Sequence, residues 1–189
     1  MSLFRGLLSL PPRGALLALL ALVLCAAVYD ARFRRIPNWL TVSGAVVGLA
    51  LNTFLDPVMR GLLYSLKGLA LGFFIYLLLH LVRAMGAGDV KLMAAVGSIS
   101  GAANWFAIFL ITAVIGGFLA IAVSIAKRRL GRTLFNVSFI LSEMKSLRPA
   151  YLKNEELDVK SNKGLRLPHG VVIAAGTLVF VVLSARYGQ

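Results

Sequence analysis

The sequence predicts an all-α fold: about six transmembrane helices in one bundle, a polytopic membrane protein forming a single domain over residues 1–189. Three observations predict it. Of the residues, 59% are hydrophobic and only 14% charged, more apolar surface than a soluble domain of this size can hide. Several apolar stretches reach or approach the ~20 residues that cross a bilayer as a helix. The basic residues fall at the ends of those stretches and in one long loop, the distribution by which membrane helices orient themselves.

The first span is expected at about 14–30. Residues 1–29 resemble a secretory signal peptide, with arginines, an apolar run and Ala26-Ala27. Arg32, Arg34 and Arg35 follow the run, however, and such a flank anchors a retained helix with that end in the cytosol. Cys25, the one cysteine, lies in this span, builds no disulfide framework, and is expected to be a buried, inert thiol. Pro37-Asn38 separates a second span, about 39–55, and Asp56-Pro57 a third, about 62–82. Gly86-Ala87-Gly88 precedes a short fourth span, about 89–101, and Gly101 divides it from a fifth, about 104–126. Pro168 opens the sixth, about 168–185. Between the last two lies a long basic loop, 127–166, in which Leu134, Val137, Leu141, Met144 and Leu147 recur at helical spacing. A helix on the membrane surface and a cytosolic hairpin resting on the bundle fit that pattern equally well.

Placing the 31–38 turn in the cytosol puts fifteen of the twenty Lys and Arg residues on that side, so both termini are expected outside the cytosol. The same placement removes the nucleic-acid reading that a net charge of +13 invites: no zinc-finger or RNA-binding signature accompanies the charges.

Seven carboxylates are present. Glu143, Glu155, Glu156 and Asp158 lie in the long loop as solvated charges, and Asp56 precedes a proline at a helix end. Asp30 ends the first span and Asp89 begins the fourth, so both fall at the cytosolic edge. Ionisable residues beside hydrocarbon are costly and mark functional sites. Two carboxylates at one depth can hydrolyse a peptide by dividing labour: one takes a proton from water while the other, protonated, polarises the carbonyl. The plainer alternatives are that Asp30 pairs with Arg32 or Arg34 and that Asp89 only caps its helix. No metal site is expected from two carboxylates and a distant histidine.

Asp30 is followed by Ile36-Pro37-Asn38; Asp89 sits in Gly86-Ala87-Gly88-Asp89-Val90-Lys91, where glycines allow close backbone approach and positive φ; Leu167-Pro168-His169-Gly170 opens the last span. In this order and on helix ends, these motifs resemble the type IV prepilin peptidases, GxGD-type intramembrane aspartic proteases, over roughly residues 14–185. The resemblance implies an aspartic endopeptidase of the bacterial cytoplasmic (inner) membrane, multi-pass, with its active site facing the cytosol. It would cut the short basic leader of a prepilin or pseudopilin after a glycine, without a cofactor. Asp30 and Asp89 carry over as the catalytic pair, Gly86 and Gly88 as backbone-access residues, and Pro37, Asn38, Lys91, Pro168 and Gly170 as supporting residues. The chain lacks the paired cysteines of members with an N-terminal methyltransferase region, and so looks like the peptidase-only form that serves Flp (Tad) pili. His169 stands where an aromatic residue is expected, either as a hydrogen-bonded boundary histidine or as a pH-sensitive neighbour of the pair. The competing readings are a transporter and a non-catalytic pilus or secretion assembly factor.

The helix ends suggest an unequal pair. Asp30 lies near a helix C-terminus and Asp89 at a helix N-terminus, which favours Asp89 as the ionised base and Asp30 as the protonated acid. Lys91 would reinforce that if its ammonium reached back to Asp89.

Overall fold

The computed structural model describes residues 10–55, 57–81, 85–126 and 168–187. These form five helices: α1 (Arg13–Phe33), α2 (Asn38–Leu55), α3 (Val58–Leu81), α4 (Ala87–Ala126) and α5 (His169–Tyr187). All five are long and apolar enough to cross a membrane. No strand occurs among the described residues. The 40-residue α4 is broken at Gly101, whose backbone takes φ 74°, ψ 170°. The fourth and fifth expected spans are therefore the two limbs of α4, divided at the predicted glycine. The long loop and Asp56 lie outside the described residues, and with them the surface-helix and hairpin alternatives.

α4 is the hub, touching each of the other four helices. Every residue of its first limb from Leu92 to Gly101 is buried. A helix buried all round needs small residues wherever a neighbour crosses closely. At the α3–α4 crossing, a Cβ on Gly68 would lie 2.0 Å from the Gly97 carbonyl oxygen, and one on Gly97 would lie 2.1 Å from that of Gly68. The two backbones are in direct contact, and only glycine permits it.

The break at Gly101 creates a second need. A residue with those dihedrals cannot carry the helical ladder across, so the carbonyls just before it need other donors. Side chains from α2 and α3 supply them. Asn52 Nδ2 lies 3.0 Å from the Ser98 oxygen and 3.2 Å from that of Ile99, Ser65 Oγ lies 2.7 Å from the Ser98 oxygen, and the Tyr64 hydroxyl donates to Ser100. Trp105 Nε1–H, beyond the break, donates back to the Met93 carbonyl at 3.0 Å. This polar knot locks α2, α3 and α4 together inside an otherwise apolar bundle.

The outer surface is apolar: Phe54, Met59, Phe74, Leu78, Phe118 and Val182 all point away from the core. Cys25 joins them. The expectation of a buried thiol was wrong, because Cys25 falls outside the packed stripe of α1 formed by Ala15, Leu19, Leu22, Ala26 and Asp30. At one end of the bundle Tyr29 lies against Phe33 (5.7 Å between ring centroids) and Trp39 (6.1 Å). Aromatic residues beside Arg32, Arg34 and Arg35 have the composition of a membrane–water boundary.

Candidate active site

Antiparallel connections bring the C-terminal ends of α1 and α3 together with the N-terminal ends of α2, α4 and α5, and the residues singled out in the sequence meet at this end. α1 stops at Arg34, which adopts a left-handed conformation (φ 53°) and donates its N–H to the Asp30 carbonyl at 2.9 Å. Pro37 then turns the chain into α2. The Asp30 side chain, 8% exposed, points into the bundle, where its Oδ2 accepts the Gly170 N–H at 2.7 Å. Gly170 belongs to the first turn of α5, which follows Pro168. A Cβ on Gly170 would lie 3.0 Å from both Cβ and Oδ2 of Asp30, so α5 sits tightly against the carboxylate and a side chain would fit only if its neighbours gave way.

Asp89 is half-buried in the first turn of α4. Its Oδ2 accepts the Gly86 N–H at 3.2 Å, while its own N–H donates to the Gly86 carbonyl, also at 3.2 Å. This reciprocal pair is a capping arrangement, so Asp89 does cap its helix, reaching back from inside the first turn. Asp30 and Asp89 stand at the same end of the bundle, one at the end of α1 and one at the start of α4.

The helix-end contrast anticipated from the sequence is offset. Asp30 does end α1, but it also faces the N-terminal turn of α5, so each aspartate receives a backbone N–H from a helix start. Lys91 turns away from Asp89: its ammonium donates to Asn38 Oδ1 at 2.9 Å, tying the start of α4 to the start of α2. Gly86 and Gly88 do not need positive φ; among the described glycines only Gly101 has it. Packing within the chain does not demand glycine at Gly88 either, where a Cβ would meet Ile36 at 3.4 Å, an ordinary contact.

Three further side chains belong here. His80, in the last turn of α3, holds its Nδ1 2.8 Å from the Met85 carbonyl, which fixes Nδ1 as the protonated nitrogen. It thereby pins the turn that leads to Gly86, whose N–H holds Asp89. Tyr76, one turn earlier and fully buried, interacts electrostatically with Asp89 and lies 6.3 Å, centroid to centroid, from the His169 ring. His169 in turn feels the charge of Asp30. The chain has two histidines, and the fold sets one beside each aspartate. Their scarcity in so apolar a chain was the available signal for His80, which sequence reasoning passed over.

The fold and this site define a polytopic helical membrane protein with two carboxylates gathered at one end of its bundle. The chain belongs to the type IV leader peptidase family, whose model matches residues 17–121. Membership makes it a peptidase of the leader-peptidase type and implies prepilin-like substrates. The matched segment holds Asp30, Pro37, Asn38, Gly86, Gly88, Asp89 and Lys91, whereas Pro168 and Gly170 lie beyond it. Comparison with curated proteins and with solved structures gave no match.

Proposed function

We propose that this chain is a membrane-embedded aspartic endopeptidase that removes the short basic leader of a prepilin-like protein after a glycine. The reaction takes place at the cytosolic face of the inner membrane, with both termini on the opposite side. The observation that carries this reading is that the bundle holds Asp30 and Asp89, on different helices, at one end, each with Oδ2 accepting a backbone N–H.

In this mechanism the two carboxylates share one proton, because close carboxylates do not both ionise readily. The ionised partner takes a proton from water as the water oxygen bonds to the scissile carbonyl carbon. The protonated partner gives its proton to the carbonyl oxygen. Collapse of the tetrahedral intermediate then breaks the C–N bond as the leaving nitrogen is protonated. A backbone N–H holds one oxygen of each aspartate, Oδ2, which orients the carboxylate and leaves Oδ1 for water and substrate. Gly86 and Gly88 allow an extended peptide to approach; Pro37, Asn38 and Lys91 brace the entrance, and Pro168 and Gly170 set α5 against Asp30. In this reading the protein serves pilus biogenesis of the Flp (Tad) kind, with residues 1–189 acting as one domain.

Co-expression with a candidate prepilin tests the proposal by substrate size and new N-terminus. Wild type is expected to cut after the leader glycine. Asp30→Asn and Asp89→Asn, nearly isosteric but unable to cycle a proton, are each expected to abolish cutting while remaining folded. Cleavage by either variant at the wild-type rate would show that the aspartates are structural.

A further inference from the structure

His169 Nε2 is buried and has no hydrogen-bond partner among the described residues. A buried polar atom left unpaired costs stability, and such atoms are uncommon enough to need a cause. An aromatic hydrocarbon ring would fill this position without that cost. The expectation of a hydrogen-bonded boundary histidine therefore does not account for Nε2.

Its surroundings suggest one. His169 is joined by a single peptide unit to Gly170, whose N–H holds Asp30 Oδ2 at 2.7 Å. Its position relative to that carboxylate is therefore set by short, stiff geometry. On its other side stands the Tyr76 ring, tilted by 44°. Tyr76 belongs to α3, which leads to the Gly86 turn that holds Asp89, so His169 lies between the elements that hold the two aspartates. A peptide about to be cut must be extended there, and extension strips its backbone N–H and C=O groups of their helical partners. In a water-poor setting those groups must find partners on the protein. An imidazole Nε2 can donate or accept, depending on its tautomer, and so can serve either group.

We propose that His169 contacts the substrate, its Nε2 hydrogen-bonding the backbone of the extended peptide beside Asp30. The inference rests on the aspartate-pair reading above. It makes the unpaired nitrogen a feature of the free enzyme that substrate binding satisfies. An aromatic residue at this position would pack in the same place without making the bond.

The test uses the full chain in lipid with a synthetic peptide of basic leader, glycine and hydrophobic segment. Wild type, His169→Phe, His169→Gln, His169→Asn and Asp30→Asn are compared for kcat, KM and thermal midpoint. Phe fills the site without a polar atom; Gln places its amide nitrogen close to the reach of Nε2; Asn falls short of it. His169→Phe is expected to lower kcat/KM about tenfold, the worth of one hydrogen bond, with a thermal midpoint equal to or above wild type. His169→Gln should recover most of the loss and His169→Asn should not. Wild-type kcat/KM in His169→Phe overturns the proposal. So does loss of activity and stability in step in His169→Phe and His169→Gln alike, because that pattern belongs to a packing residue. Asp30→Asn separates the two readings. If it cuts normally, the aspartate pair falls and this inference falls with it. If it is inactive while His169→Phe is normal, only the role of His169 is lost.

Discussion

Gly170→Ala tests whether α5 aims the Asp30 carboxylate. The added Cβ would stand 3.0 Å from Asp30 Cβ and Oδ2 and 3.3 Å from Cγ. Rotating the Asp30 side chain relieves the contact with Oδ2 but not the one with Cβ, which is fixed to the α1 backbone. The helices must therefore part by roughly half an ångström to restore ordinary van der Waals separation. Overpacking of this kind costs about 1–3 kcal/mol. Replacing a helical glycine with alanine returns up to ~1 kcal/mol, less in a first turn such as this one. Net destabilisation should be about 1–2 kcal/mol, and the protein should stay folded. Activity should suffer more. A misplacement of about 1 Å near reacting groups costs on the order of a hundredfold, so half that distance implies roughly tenfold. The 2.7 Å bond from the Gly170 N–H must lengthen in the same movement. The assay is the initial rate of leader removal in lipid, alongside a thermal midpoint. Gly116→Ala is the control: on α4, facing α5, its Cβ would meet only Val172 Cγ1, at an ordinary 3.4 Å, and it should be neutral. If Gly170→Ala cuts at the wild-type rate, α5 does not aim Asp30.

Gly88→Ala should leave the thermal midpoint unchanged, because its Cβ would meet Ile36 at an ordinary 3.4 Å, yet slow cleavage by narrowing the approach of the peptide; undiminished cleavage would remove the access role. Asn52→Ala should destabilise by about 1–3 kcal/mol, since the Ile99 carbonyl loses its side-chain donor while Ser98 keeps Ser65. Ser65→Ala should cost less, because Asn52 still serves Ser98, and equal thermal midpoints for the two variants would contradict that division.

Much of this architecture was legible because charge and helix breakers stand out in an apolar chain. Asp30 and Asp89 were conspicuous as acids at span ends, and Pro37, Gly101 and Pro168 mark the boundaries that the helices obey. What escaped depended on contacts between distant segments. Asp30 and Gly170 are 140 residues apart, and nothing in either neighbourhood announces that the start of α5 lands on the Asp30 carboxylate. That landing undid the simple helix-end argument for an unequal pair. Lys91 illustrates the same limit: its position two residues after Asp89 left the direction of a long side chain open, and it chose Asn38. Asn52 and Ser65 were passed over because uncharged polar residues are tolerated in spans, although Gly44-x3-Gly48 and Gly68-x3-Gly72 on the same helices marked close crossings.

The break in α4 and the depth of Asp89 are parts of one arrangement. From Ala87 to Gly101 the first limb is about 21 Å long at 1.5 Å per residue, short of a hydrocarbon core of ~30 Å. The limb by itself is too short to cross such a core. At the Asp89 end, boundary-type aromatic and basic residues gather around the neighbouring turn. At the Gly101 end, Asn52, Ser65 and Tyr64 serve the carbonyls that the break releases. Donors supplied by protein are what a helix end requires where water is absent. The limb thus ends at Gly101 on donors supplied by protein and presents Asp89 at the end where the boundary-type residues gather. That is the end at which the proposed reaction needs an aspartate, a supply of water and the start of a membrane-bound helix to meet.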